Sequence, residues 1–384
     1  MPRDLGIYIH WPFCVSKCPY CDFFSKAEKS QEVYKFAEDR LLEDLRTSMI
    51  EISEIDTTKV MSLFFGGGTP SLMSAKSIQD IIDFLCKNYS MEDDIEITLE
   101  ANPGTFDLQK LCNFRSAGIN RLSLGVQSFS SQALVFLGRS YDSERAVQAI
   151  GAVADTFENF SVDLMYGYEC QSVDALEDDM RKTIAYGCKH LSCYQLTIEE
   201  STPFHERFLA GELLKLSDAQ ESYFYNFIKS FLESYDFRRY EVSNYAMDGY
   251  ESKHNMGYWR YNDYLGIGPG AHSRITIDEK KHEISWECNV NVWLDSSENQ
   301  IQKKALTDIE LLQEMVLTGL RTVEGIQIEK LQERVPEKIY TEIFAPKKMK
   351  LLRENNLIIE SDTLLKLSDS GFLRLNSVVA FLFD

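Results

Sequence analysis

Strand-like and helix-like stretches alternate along the first two thirds of the chain, and this alternation constrains the fold most. Apolar segments at Leu5–His10, Lys59–Phe65, Ile95–Leu99, Arg121–Leu124, Ser161–Met165 and His190–Leu196 read as strands. Helical periodicity follows between them, as in Gln31–Ile50, Ser74–Asn88, Asp107–Ala117, Ser143–Asp155, Val173–Tyr186 and, after the last strand, Asp218–Tyr235. Strands separated by helices predict a parallel sheet with right-handed crossovers. Two closures satisfy that order, a doubly wound sheet and a barrel-like curl. The strand ends favour the second. The segment HWPFCVSKCPYC follows the first strand, GGGTP (Gly66–Pro70) the second, EANPG (Glu100–Gly104) closes the third and GVQSF (Gly125–Phe129) follows the fourth. Asp163 lies in the fifth strand and YQLT (Tyr194–Thr197) ends the sixth. Barrel enzymes gather such features from every strand at one face, whereas a doubly wound sheet concentrates them at one switch point. The expected architecture is therefore an α/β partial (β/α)6 TIM-like barrel over residues 1–288. After about Asn289 the pattern changes to shorter helices and a hairpin near Leu357–Ser368. This predicts a small C-terminal α+β winged-helix-like module over 289–384, and Asp295–Gln300 reads as a polar surface loop.

Composition narrows the partners. The formal charge of −20 repels nucleic acid, and Lys and Arg are not clustered into a basic patch. No apolar run has the length that spans a bilayer, and no signal-peptide core precedes the first strand, which predicts a cytoplasmic protein. The nine cysteines are odd in number and mostly scattered, as suits a reducing compartment better than a disulfide framework.

Three of those cysteines are not scattered. Cys14, Cys18 and Cys21 form C-x3-C-x2-C within eight residues. A structural zinc site needs four N or S ligands, and no second cysteine pair follows. Three thiolates can instead hold three irons of a [4Fe-4S] cubane and leave the fourth open for a chelating ligand. Zinc completed by a distant histidine, in a binding protein without radical chemistry, remains the alternative.

With Tyr20 between its last two cysteines, the triplet resembles the signature of the radical S-adenosylmethionine (SAM) superfamily. The resemblance implies that the methionine end of SAM chelates the open iron and that an electron from the cluster cleaves the sulfonium to a 5′-deoxyadenosyl radical. It implies that Gly67, Gly68 and Thr69 receive the methionine amine, Glu100 the amine or ribose, and Arg139 the methionine carboxylate, which a guanidinium suits. Gln127, Asp163, Tyr8 and Tyr20 would complete the cofactor cavity. No side chain is assigned a catalytic role.

Further stretches, VDLMYG, YEVSNYA and HNMGYW among them, are similar to the coproporphyrinogen III oxidase-like branch over about Leu5–Ser273. Within it, two types compete. One is the oxygen-independent coproporphyrinogen III dehydrogenase, which oxidatively decarboxylates two propionates. The other is the HemW-type heme chaperone, which binds heme and passes it to acceptor proteins. Phe23, where the dehydrogenase carries a further cysteine, the start of the chain almost on its first strand, and His254-Asn255-Met256-Gly257-Tyr258-Trp259 favour the chaperone. His254 is then expected as an axial heme ligand, with Tyr258 and Trp259 on the porphyrin face. The resemblance implies SAM and heme or a porphyrin as ligands, a membrane-bound or respiratory acceptor, and a monomer or dimer. One departure lies beside the cavity. The family's Gly-x-Pro-Gly turn is here Gly167-Tyr168-Glu169-Cys170.

Overall fold

The computed structural model describes residues 3–53, 58–295 and 301–384, so the loop expected at 295–300 lies outside the described residues from 296 onward. Six strands follow the predicted alternation: β1 (Arg3–Trp11), β2 (Thr58–Gly67), β3 (Ser90–Ala101), β4 (Arg121–Gln127), β5 (Asn159–Tyr166) and β6 (His190–Gln195). Each pairs in parallel with the next. The helices between them start where the sequence supplies caps. The side chains of Ser74, Asp107, Ser130, Asp142 and Ser172 each accept a backbone N–H three residues on, which satisfies one of the first-turn donors.

The sheet is larger than the alternation predicts. β7 (Arg238–Arg239) and β8 (Asn244–Ala246) extend one edge, and β9 (Asp263–Ile267), β10 (His272–Ile277), β11 (Lys280–Trp286) and β12 (Ile301–Ala305) extend the other. The result is a 12-stranded sheet in the order β12-β11-β10-β9-β1-β2-β3-β4-β5-β6-β8-β7. β9 runs parallel to β1, and β10 to β12 form an antiparallel meander. Neither edge strand pairs with the other, so the barrel is open. It is nevertheless curled. Strands lie about 4.8 Å apart, which would put β1 and β6 roughly 24 Å apart in a flat sheet. Tyr8 on β1 and Tyr194 on β6 instead line one interior cavity of about 200 Å³, together with Glu100, Ser123 and Asp163.

The boundary expected at 288/289 is displaced. Trp293 is buried in the main core and its Nε1 donates to Asp44, and β12 belongs to the main sheet, so the first unit continues to Ala305. Meander strands are short and separated by polar residues, so their periodicity resembles that of loops. The C-terminal module opens with helix Asp308–Leu320 and carries a three-stranded sheet of β13 (Ile326–Gln327), β14 (Ile358–Glu360) and β15 (Leu364–Leu367). Leu312, Val316, Leu331, Leu365 and Leu382 form its own core. Helices Ile328–Arg334, Glu337–Ile343, Pro346–Glu354 and Leu375–Phe383 complete it, the last separated from Asp369–Phe372 by a break the sequence did not predict. Arg274 on β10 binds Glu314 at 2.7 Å and ties the module to the barrel.

Candidate cofactor site and the adjoining aromatic cavity

The cysteine loop is anchored at its root. Trp11 and Phe13 are fully buried and pack edge to face at 5.2 Å. Beyond β2 the chain folds back onto this root, where the Gly68 N–H donates to Trp11 O at 2.7 Å and the Thr69 N–H to Phe13 O at 2.8 Å. A Cβ on residue 68 would lie 2.6 Å from Phe13 O, so glycine is required for the close approach. Gly67 has φ of +110°, in the region open to glycine. Cys14 is buried, Cys18 and Cys21 are half-buried, and all three thiols are free. The Cys14 and Cys21 thiols are pushed up chiefly by burial, and each also feels Cys18.

One cavity of about 320 Å³ collects the expected residues. Cys14, Cys18, Tyr20, Cys21, Gly67, Gly68, Thr69, Glu100, Gln127, Arg139 and Asp163 all line it. Tyr8 does not. Its ring lines the barrel interior beneath and its hydroxyl bonds His10 Nδ1 at 3.0 Å. Gln127 enters through a break in register between β4 and β5 after Leu124 and holds φ of +66°, a conformation rare for a side-chain-bearing residue. Arg139 is more committed than a free carboxylate ligand. Its Nε donates to Tyr141, its Nη1 to Cys18 Sγ at 3.3 Å and to Tyr20 Oη at 3.0 Å, and its Nη2 to Gly125 O at 3.1 Å. The guanidinium is thus engaged at all three nitrogens, and Nη1 braces the cysteine loop through Cys18 and Tyr20. The turn at Gly167 is closed by Gln171, whose Oε1 accepts the Gly167 N–H, while Cys170 is exposed.

Two carboxyls face this cavity and the barrel interior. Glu100 accepts the Gly67 N–H at 3.1 Å, and Asp163 accepts from Ser123. Burial, with Asp163 next to it, pushes Glu100 up to about 8. Burial likewise raises Asp163 to about 6, opposed by hydroxyls and by Arg121. Two adjacent carboxyls that resist ionisation await a cationic or hydrogen-bond-donating ligand.

The donor set fits the implied cluster. Among the described residues no group of three or more His, Cys, Asp or Glu closes tightly enough to hold a single ion. The thiols of a cubane each take a different iron, and Cys14, Cys18 and Cys21 line one cavity from which three such bonds can be made. The half-buried Arg139 cation against Cys18 suits a cluster of thiolates, and raised carboxyls beside a glycine cradle suit an amine and a sulfonium.

Sequence and fold comparisons agree. The radical SAM superfamily profile matches residues 8–183 and the HemN C-terminal domain profile residues 306–374. The heme chaperone HemW of Haemophilus influenzae is 42% identical over 281 residues, covering 72% of both chains. The chain belongs to the HemW family of radical SAM proteins. The mitochondrial radical S-adenosyl methionine domain-containing protein 1 of Danio rerio is 30% identical over 98% of this chain and 86% of its own. Coproporphyrinogen III oxidase (HemN) from Escherichia coli, a radical SAM enzyme, shares the fold at a TM-score of 0.82 and 19% identity, over 99% of this chain and 90% of that one. The cofactors of this HemW family member are accordingly a [4Fe-4S] cluster and SAM.

The HNMGYW element lies outside the cofactor cavity but borders the barrel interior beneath it, where His254 and Tyr258 line the cavity of about 200 Å³ with Tyr8, Glu100 and Asp163. Helix Lys253–Trp259 packs against the first halves of β2 and β3, where the buried Glu96 carboxylate accepts the backbone N–H of Lys253 and His254 and the Ser252 hydroxyl. His254 itself is buried, with Nδ1 bonded to Ser62 Oγ at 2.8 Å and Nε2 to Tyr258 Oη at 2.8 Å. Burial, aided by Arg121, lowers it to about 3, so it stays neutral. In this arrangement neither nitrogen is free to coordinate iron, contrary to the expectation. Tyr258 stands edge-on to His254 and Tyr264, and Trp259 carries the Arg321 guanidinium at 4.7 Å.

Next to the cofactor cavity, and sharing Phe23, Gly67 and Glu100 with it, is a second cavity of about 600 Å³. Its walls include Phe24, Tyr258, Trp259, Tyr261 and Tyr264, Leu317 of helix Asp308–Leu320, and the Arg274–Glu314 ion pair. Sequence reading missed this cavity, and it missed Ser62, Glu96 and Arg121. Period-two polarity along the strands carried the latter signal: Glu96, Thr98 and Glu100, then Arg121 and Ser123, then Ser161 and Asp163, then His190 and Ser192. A parallel sheet covered on both faces reads as near-continuous apolar runs, so polar residues at every second position mark an interior with work to do.

Proposed function

We propose that this chain is a heme chaperone that binds heme and passes it to acceptor proteins. Kinship with the HemW chaperones carries this reading, and an aromatic room adjoining the cofactor cavity supports it. When bound, the cluster and SAM supply one-electron chemistry. The chain's own residues cradle and orient: the Gly67–Thr69 backbone approaches the ligand closely, Glu100 and Asp163 offer acceptors, and Arg139 steadies the cysteine loop. Half-exposed walls suit a cargo that must leave again. Delivery from the cytoplasm to a membrane-bound or respiratory acceptor, by a monomer or dimer, is part of the proposal. Among the described residues no helix is long and apolar enough to cross a membrane.

The test uses full-length protein reconstituted without oxygen. It should bind hemin and transfer it to an apo-hemoprotein, followed by the Soret band of the acceptor. A second arm supplies coproporphyrinogen III, SAM and reductant. Protoporphyrinogen formation in that arm would overturn the chaperone in favour of the dehydrogenase.

A further inference from the structure

We infer that heme sits in the aromatic cavity of about 600 Å³ and that His272, not His254, is its axial ligand. This assignment presupposes the chaperone function and adds the site.

The chain has six histidines. In three of them both ring nitrogens are already used. His10 bonds Tyr8 and Phe24 O, His190 bonds Ser161 and Tyr240, and His254 bonds Ser62 and Tyr258. Coordinating iron through any of these would strip a buried hydrogen bond and leave its partner unsatisfied. Of the other three, His272 lines the aromatic cavity. It is the first residue of β10, and its side chain is 52% exposed. Its Nδ1 lies 3.5 Å from Glu283 Oε1 on the neighbouring strand, where His272 pairs with Ser285. The same oxygen lies 3.5 Å from Arg274 Nη2, so the carboxylate stands within reach of Nδ1, and a small approach would orient the ring and leave Nε2 for the metal.

The cavity suits the rest of the molecule. Its volume lies within the range of about 300–1,000 Å³ usual for small-molecule sites. Five aromatic rings, Phe24, Tyr258, Trp259, Tyr261 and Tyr264, supply flat apolar surface for a porphyrin, and Phe23, 60% exposed, stands at the boundary with the cofactor cavity. Leu317 and Thr318 close the wall from the C-terminal module, so the site needs both units of the chain. Shared Gly67 and Glu100 place cargo and cofactor side by side, which gives cofactor occupancy a direct route to heme affinity.

Hemin titration of the full chain, with and without its cluster, separates the outcomes. Wild type should show saturable binding with an imidazole-ligated Soret band. His272→Ala should raise Kd at least tenfold and lose that band, and added imidazole should restore the band's position. His272 is half-exposed, so melting temperature and iron content should stay at wild-type values. Leu317→Trp, which fills the cavity without touching the ligand, should also weaken binding tenfold. If wild type does not bind hemin, the chaperone function itself fails. If wild type binds and His272→Ala gives the same Kd and spectrum, His272 is overturned as ligand while the function stands. Wild-type binding in Leu317→Trp would overturn the cavity.

Discussion

The two halves of the barrel interior are built on opposite terms. Around the C-terminal strand ends, polar groups are left under-engaged: Glu100 and Asp163 resist ionisation, Gln127 holds a left-handed backbone, and three thiols face one cavity. Around the N-terminal halves of β2 and β3, they are satisfied. Ser62, His254 and Tyr258 form a hydrogen-bonded chain, Phe64 stacks on His254 at 5.0 Å, and Glu96 caps the helix that carries it. One end is preorganised for a ligand. The other is finished structure that holds the first in shape. Histidine in a motif is therefore weak evidence of ligation until its two nitrogens are accounted for.

The largest contrast comes from replacing a thiol. Cys18→Ser removes one of three donors and the group that Arg139 contacts. Reconstitution should then yield nearly none of the wild-type iron and sulfide, read by metal analysis and EPR, while the fold measured by circular dichroism persists. A variant that kept a full complement of cluster would show that the cavity is not built around these sulfurs.

Glu100→Gln should come next. A charge-assisted hydrogen bond gives way to a neutral one, worth about 1.5–3 kcal/mol, so SAM affinity should fall roughly 10- to 100-fold by calorimetry. The same residue sets a pH signature. Glu100 and Asp163 are raised above their ordinary values of 4.5 and 3.8, to about 8 and about 6. The folded state thus holds protons that the unfolded chain releases. The stability they lend is complete below the ordinary carboxylate values and is lost as pH rises towards about 8. Ligand-free protein should melt lower at pH 8 than at pH 5, and Glu100→Gln should flatten much of that slope. A cationic ligand favours ionisation, so SAM binding near neutral pH should release protons, seen as a buffer-dependent binding enthalpy. A binding enthalpy independent of buffer would contradict a protonated Glu100.

At the satisfied end, effects should be on stability. His254→Gln leaves Ser62 or Tyr258 without its partner and should cost about 1–3 kcal/mol of unfolding free energy. Hemin affinity, measured where the variant is folded, should stay within twofold of wild type. A tenfold loss there would return the ligand role to His254.

The alternation of strands and helices and the strand-end residues that share one cavity were legible because each is local. A strand end and a glycine turn are written within a few residues. Tyr8 was misplaced by one layer, because the strand fixes its face but not its depth in a curled sheet. The β9–β12 meander and the displaced boundary at Ala305 were not legible, since antiparallel pairing depends on partners remote in sequence. His254 could be read as a motif but not as a satisfied histidine. Its partner Ser62 stands 192 positions away, and only folding brings them to 2.8 Å. His272 carried no motif at all. Its case rests on which cavity the fold puts beside it.

The smallest change is the most discriminating. Tyr258→Phe removes one hydroxyl and keeps the ring that stands 4.6 Å from His254 and 4.4 Å from Tyr264. Because the aromatic packing survives, destabilisation should be only about 1 kcal/mol, the net worth of one buried hydrogen bond. The substitution also leaves His254 Nε2 without its partner. If His272 holds the iron, freeing that nitrogen does nothing for heme, and hemin Kd and Soret position should match wild type within error. If His254 were instead a ligand held in reserve by Tyr258, the same variant should bind hemin more tightly and shift the band. Tighter binding in Tyr258→Phe would therefore make the buried chain a latch on the cargo site rather than a brace for it.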